Sequence, residues 1–108
     1  MAIYVDNERI PWRGTLWCHL VADSLDELHR FASKLGLKRA WFQDKASYPH
    51  YDVTMSVRER ALGLGALPAR KRQMIASATL LRDELRAAQV APATLDSRRT
   101  EPLFAEAA

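Results

Sequence analysis

Between residues 16 and 43 the chain changes its periodicity twice, and this pair of changes limits the fold more than any other stretch. Residues 16–22 alternate, with Trp17, His19 and Val21 on one side and Cys18, Leu20 and Ala22 on the other, which is the two-residue repeat of a strand. Both sides are largely apolar, so the strand is expected to be central. Next comes Asp23-Ser24-Leu25-Asp26-Glu27, a helix start in which Ser24 caps the amide three residues on and Glu27 reaches back to complete a capping box. The spacing predicts a helix over about 25–35, with Leu25, Leu28, Ala32 and Leu35 as its buried stripe and Gly36 as the left-handed residue that ends it. Residues 40–43, short and aromatic, read as the following strand. Strand, helix and strand make a βαβ unit, whose crossover is right-handed in nearly all cases.

The flanks fill in the rest of an α/β fold. Ile3, Tyr4 and Val5 before the turn-prone Asp6-Asn7 predict a first strand, and residues 8–15, with Pro11 and Gly14, a loop carrying Arg9, Trp12 and Arg13. After a polar connection at 44–49, residues 50–54 suit a short fourth strand or an extended edge. Ser56 and Glu59 repeat the capping-box spacing ahead of a helix that Gly63 and Gly65 end, and Pro68 suits the first turn of a third helix reaching about Val90. The expected architecture is a small three- to four-stranded sheet built on the βαβ unit, with helices at about 25–35, 56–63 and 68–90. Residues 1–66 form the core domain, 67–90 an amphipathic basic helix and 91–108 a flexible tail.

The third helix needs a partner for its apolar side. Met74, Ala78, Leu81, Leu85 and Ala88 recur at spacings of four and three, too short a seam for a free coiled coil. Packing on the sheet or on a second chain must cover it, and a homodimer through residues 68–90 is the expectation. The segment also holds the basic excess of the chain: 67–90 carries five Lys/Arg against two Asp/Glu, while 1–66 carries nine against eight. Arg70, Lys71 and Arg72 would suit phosphates, although a solvated helix start explains them as simply.

With 108 residues, 48% of them hydrophobic and 27% charged, the chain is one globular domain and neither disordered nor low in complexity. No apolar run approaches the roughly 18 residues of a membrane span, and the opening MAIYVDNER is acidic where a signal peptide would be basic, so a cytoplasmic place is expected. Cys18 stands alone and makes no internal disulfide.

All three histidines fall between positions 19 and 50, each with a carboxylate nearby. Imidazole and carboxylate together ligate divalent metals or trade protons near neutral pH. His50 and Asp52 project from one face of an extended chain, roughly 6.5 to 7 Å apart at the backbone. His19 between apolar neighbours reads first as a core histidine, and His29 as a boundary residue of its helix. Ser47-Tyr48-Pro49-His50-Tyr51-Asp52 contains no aliphatic filler, which suits a recognition loop. Asp23 and Gln43 end the two strands of the expected βαβ unit, the edge where open α/β sheets bind ligands. Trp12 and Tyr48, in loops, are better placed for ligand contact than Trp17, Trp41 and Phe42.

The segments IYVDNERIPWRG, WCHLVAD, DELHRFASKLGL, AWFQ and HYDV together resemble a family of small bacterial and phage proteins of unknown function, over about residues 2–66. The resemblance implies that these segments belong together and makes a phage origin plausible, and it brings no activity with it.

Three functions are compatible with these residues. The first is a binding protein whose polar pocket, lined by Asp23, Gln43, Tyr48, His50, Tyr51 and Asp52, holds a nucleotide-like molecule, with sequestration of a host metabolite or signal as one use. The second is a metal-assisted hydrolase with His19, His50 and Asp52 as ligands and Asp23 as general base; a divalent ion is the sole cofactor these residues suggest. The third is a nucleic-acid or protein interaction module built on the basic third helix.

Overall fold

The alternating stretch that begins at Thr15 does become the spine of the molecule. The computed structural model describes residues 2–96, with side chains to residue 89. It runs β1 (Ile3–Val5), β2 (Ile10–Trp12), β3 (Thr15–Ala22), α1 (Leu25–Lys34), a 3-10 turn at Arg39–Trp41, β4 (Tyr51–Thr54), α2 (Met55–Gly63), β5 (Leu67–Pro68) and α3 (Lys71–Asp96). The class is α/β, a mixed five-stranded sheet with three helices.

β3 pairs antiparallel with three strands. Leu20 faces both Val5 of β1 and Tyr51 of β4, and Trp17 faces both Ile10 of β2 and Thr54 of β4. β1 and β2 therefore follow one another along one edge of β3, and β4 takes the other edge. β5 extends the sheet in parallel beyond β1. Asp6 lies opposite His19, its N–H donating to the His19 carbonyl, while Ile10 lies opposite Trp17. Four steps on one strand thus match two on the other, a bulge of two residues. At this bulge the His19 N–H donates to the Asp6 carboxylate, Oδ1, at 2.8 Å. The Asp6 carbonyl instead accepts from Arg58 Nε at 2.7 Å.

The sheet is covered unequally. Cys18, Leu20, Tyr51 and Val53 point to the side of α1 and α2, where Leu28, Phe31 and Ala61 complete a buried layer. His19, Val21 and Asp52 point to the opposite side. There α3 brings Met74 and Ala78 over Val21 and leaves the His19 end open. Met74, Ala78 and Leu81 are buried in the same core, so these positions of the apolar seam need no second copy to cover them.

The expected βαβ unit does not form. Residues 39–41 make a 3-10 turn, and only Gln43 is bridged, to His50. Tyr51–Thr54 has the better strand pattern, buried and half-buried in turn, and it takes the edge of β3 in antiparallel sense after the chain reverses through 44–49. Pro68 does not open the third helix either. It sits in β5 beside Val5, on a sheet edge where its missing N–H costs nothing, and α3 begins at Lys71. α2 is capped by Thr54, whose hydroxyl accepts from the Val57 amide at 3.4 Å, rather than by Ser56. Residues 91–96 of the expected tail continue α3, and 97–108 lie outside the described residues. No helix among the described residues is long and apolar enough to cross a membrane.

Candidate metal centre

Strand register and one reversed loop together build the site. β3 and β4 set His19 directly opposite Asp52, so both side chains leave the same face. The Gln43 amide donates to the His50 carbonyl at 2.9 Å and closes the 44–49 loop, with Pro49 buried inside it. His50 is thereby carried back over the strand. Its Nε2 lies 3.2 Å from Asp52 Oδ1, and its ring meets His19 edge to face with centroids 4.9 Å apart. One ligand atom from each of His19, His50 and Asp52 falls within 4.8 Å of the others. Two imidazoles and a carboxylate on one open face make a donor set suited to Zn, Fe, Mn or Ni.

Both histidines are oriented by a second partner. His19 Nδ1 lies 2.7 Å from Asp6 Oδ2. His50 Nδ1–H donates to the Tyr48 carbonyl at 2.7 Å. With Nδ1 engaged in each ring, Nε2 is the nitrogen left with a lone pair in the neutral form, the arrangement that holds histidine ligands in metal sites. Burial pushes the Asp6 carboxyl up, but hydrogen bonds and the charge of His19 outweigh it and hold the group below its ordinary value. The same hydrogen bond raises His19 above its ordinary value against the opposing effect of burial. A metal held by His19 would compete with the proton that Asp6 favours on that ring.

Beside these residues lies a cleft of about 370 Å³ between the open sheet face, the 44–49 loop and the first turns of α3. Its walls are Val21, Met74, Ile75 and Ala78, and its polar groups include Glu8, Tyr48 and Lys71 as well as the two histidines. This size and mixture match small-molecule sites, which are mostly apolar with a few placed polar groups.

The residues singled out from sequence divide between the two faces. His19, His50 and Asp52 come together, and Tyr48 lines the cleft with the Arg82 guanidinium 5.7 Å from its ring centre. Tyr51 is 1% exposed on the far face, where its hydroxyl shares a 2.9 Å hydrogen bond with His29 Nδ1. Asp23 accepts from the Ser77 hydroxyl at 2.8 Å, tying α3 to the end of β3, and does not line the cleft. Gln43 serves through its backbone bridge, with its side chain exposed. The shared edge expected for Asp23 and Gln43 needs parallel strands that are absent. Asp6, Glu8 and Lys71 join the site without any local pattern that marks them for it. The turn signal Asp6-Asn7 marks the bulge, but only the pairing of β1 with β3 shows where the carboxylate goes.

The family model described as a protein of unknown function (DUF4031) matches residues 3–81, so the chain belongs to the DUF4031 family. The match includes His19, His50, Asp52, Asp6 and α3 as far as Leu81, and so extends beyond residue 66, where the motif resemblance ends. No curated protein and no solved structure matches the chain.

Proposed function

We propose that this protein is a metal-dependent hydrolase, in which His19, His50 and Asp52 hold one divalent ion and the adjoining cleft holds a small polar, nucleotide-like substrate. The observation that carries this reading is the double orientation of the histidines, by Asp6 and by the Tyr48 carbonyl, toward a shared carboxylate. Three protein ligands leave coordination positions for water and substrate, as in catalytic rather than structural sites. An ion held by His19, His50 and Asp52 would supply a water of lowered pKa and a Lewis acid for the bond to be broken. Of the two carboxylates that line the cleft, Asp6 is engaged with His19, so Glu8 is the one that would take the proton released as water adds to the electrophilic atom and the leaving group departs with the electron pair of its broken bond. Asp23, engaged with Ser77, does not fill that role.

Metal analysis of chelator-stripped protein after reloading with zinc or manganese tests the reading. About one ion per chain is expected, with loss in His50→Ala and in Asp52→Ala. Binding of less than about a tenth of an ion per chain removes it. Sequestration without turnover uses the same cleft, and it is distinguished by recovering a bound molecule intact from metal-loaded protein.

A further inference from the structure

The open sheet face continues past the metal centre onto an aromatic hairpin that hydrolysis of a small molecule does not require. Trp17 lies two residues before His19 on β3, on the same face and roughly 7 Å away along the strand. Ile10 is directly opposite Trp17 and Trp12 opposite Thr15, so all of them share that face. Trp12 is 56% exposed and Ile10 43%. The Trp17 indole Nε1–H donates to the Trp12 carbonyl at 2.8 Å, and the two rings meet at 62° with centroids 5.8 Å apart. The platform is thus ordered before anything binds, which lowers the entropic cost of binding.

Charge points the same way. Residues 9–22 contain Arg9 and Arg13 and no acidic residue. The Arg13 guanidinium lies 4.4 Å from the centre of the Trp12 ring. Among the described residues, the non-glycine positions with positive φ are Arg9, at 55°, and Arg13, at 50°. Both are in the left-handed region that L residues seldom adopt, and both flank the same tryptophan. An asparagine would sit there more easily than an arginine. Arg13 and Gly14, at 50° and 75°, form the two-residue turn between β2 and β3, which needs positive φ at both positions, so an arginine stands beside Trp12 where the turn itself would favour an asparagine.

The geometry points to single-stranded nucleic acid as the occupant of this face: its bases stack on Trp12 and Trp17, its phosphates meet Arg9 and Arg13, and the next phosphodiester reaches His19, His50 and Asp52. Exposed aromatic rings interleaved with arginines are the means by which proteins hold unpaired strands without reading sequence. The step from Trp17 to His19 is short enough for one nucleotide to span. Cleavage of the strand rests on the metal-hydrolase reading above, whereas binding to the platform does not.

The test is fluorescence anisotropy of a labelled oligonucleotide of about 12 nucleotides with the full chain in excess chelator, where hydrolysis is silent. Binding that weakens as salt rises is expected, with a preference for single strands over duplex. Trp12→Ala should weaken it about tenfold. Trp41→Ala is the control: Trp41 is 51% exposed with the Lys38 ammonium 5.7 Å from its ring centre, but it lies outside the hairpin, and its loss should leave affinity unchanged. Arg13→Asn should weaken binding while keeping or raising thermal stability. Equal affinity for heparin and oligonucleotide, or an unchanged Trp12→Ala, overturns the assignment. So does a dimer in solution that Trp12→Ala separates, which would give the face to a second copy. If chelated protein binds the strand and manganese-loaded protein leaves it uncut, the platform stands and the hydrolase reading falls. Metal binding without oligonucleotide binding leaves the metal centre standing and overturns the platform.

Discussion

Each face of the sheet has a histidine with an oxygen partner, and the two have their pKa values shifted in opposite directions. On the α1 side, His29 shares a hydrogen bond with the Tyr51 hydroxyl and packs edge-on against Phe42, with ring centroids 4.7 Å apart. Its Nε2 is buried without a partner, and burial, with Arg39 adding to it, pushes its pKa down. On the α3 side, the Asp6 carboxylate pushes His19 up, and the open face leaves its other nitrogen for a ligand. The contrast lies in what covers each strand face. Two helices close the first and hold its histidine half-buried at the edge of the core, whereas α3 stops short on the second and leaves a cleft beside His19.

The largest test of this contrast is Tyr51→Ala. It removes a fully buried ring from the closed face and is expected to cost about 3–5 kcal/mol by denaturant unfolding. Metal binding in the molecules that remain folded should persist, because the Tyr51 side chain lies on the opposite face of the sheet from the three ligand side chains. A cost below about 1 kcal/mol would mean that the closed face is not a tightly packed core.

Asp6→Asn comes next, on the open face. The substitution keeps one acceptor oxygen but takes the charge from His19, and a weakening of metal affinity of about 10- to 100-fold is expected. Loss of the partnered carboxylate should also cost about 1–3 kcal/mol. In the metal-free variant the His19 pKa, followed by NMR, should fall from its raised value, since burial is then opposed only by the weaker charge effects of Asp52 and Glu8. A His19 that titrates as before would separate it from Asp6.

The site is more legible in the sequence than the topology around it, and particular residues show why. Ser24 and Glu27 act over three residues, and the structure has the Glu27 amide donating to Ser24 Oγ at 3.3 Å, as the spacing predicts. The second half of that box differs, because the Ser24 hydroxyl donates to Glu27 Oε1 at 2.9 Å rather than Glu27 reaching the Ser24 amide. His50 and Asp52 share a face by simple alternation. The partner of β3, however, is decided by contacts far apart in the chain, and the aromatic residues at 40–43 imitate a strand without forming one. Asp6 acts on a residue thirteen positions away through a two-residue bulge, which no local pattern records.

The two histidines also set opposite pH limits on the chelated protein. His19 is raised in the folded state, so its stabilisation is fully present below its unfolded value of about 6.5 and is lost as pH rises through the folded value. His29 is lowered, so its stabilisation is present above about 6.5 and is lost as pH falls through the folded value. Stability between pH 5 and 8 should therefore peak near the unfolded histidine value. Asp6→Asn should flatten the alkaline limb and His29→Gln the acid limb, as read from urea midpoints across that range. If one variant flattens both limbs, the two faces are coupled and the contrast breaks.

The smallest effect on stability is expected from Asp52→Ala, and it is the most informative. The Asp52 side chain is 37% exposed, and its partner is His50 Nε2 at 3.2 Å on the solvent side of the sheet. Exposed pairs of this kind contribute about 0–1 kcal/mol, so the unfolding midpoint should hardly move. Removing a like-charged neighbour of Asp6 from the same face can even raise it, as happens where sites are kept at a cost to the fold. Metal binding should be lost at the same time, because two imidazoles without a carboxylate no longer make the donor set. Measured together, a midpoint change below about 1 kcal/mol and an empty site would place Asp52 on the functional face. A loss above about 2 kcal/mol with metal still bound would move it to the structural side with Tyr51, and the open face would then be a core that α3 leaves half covered.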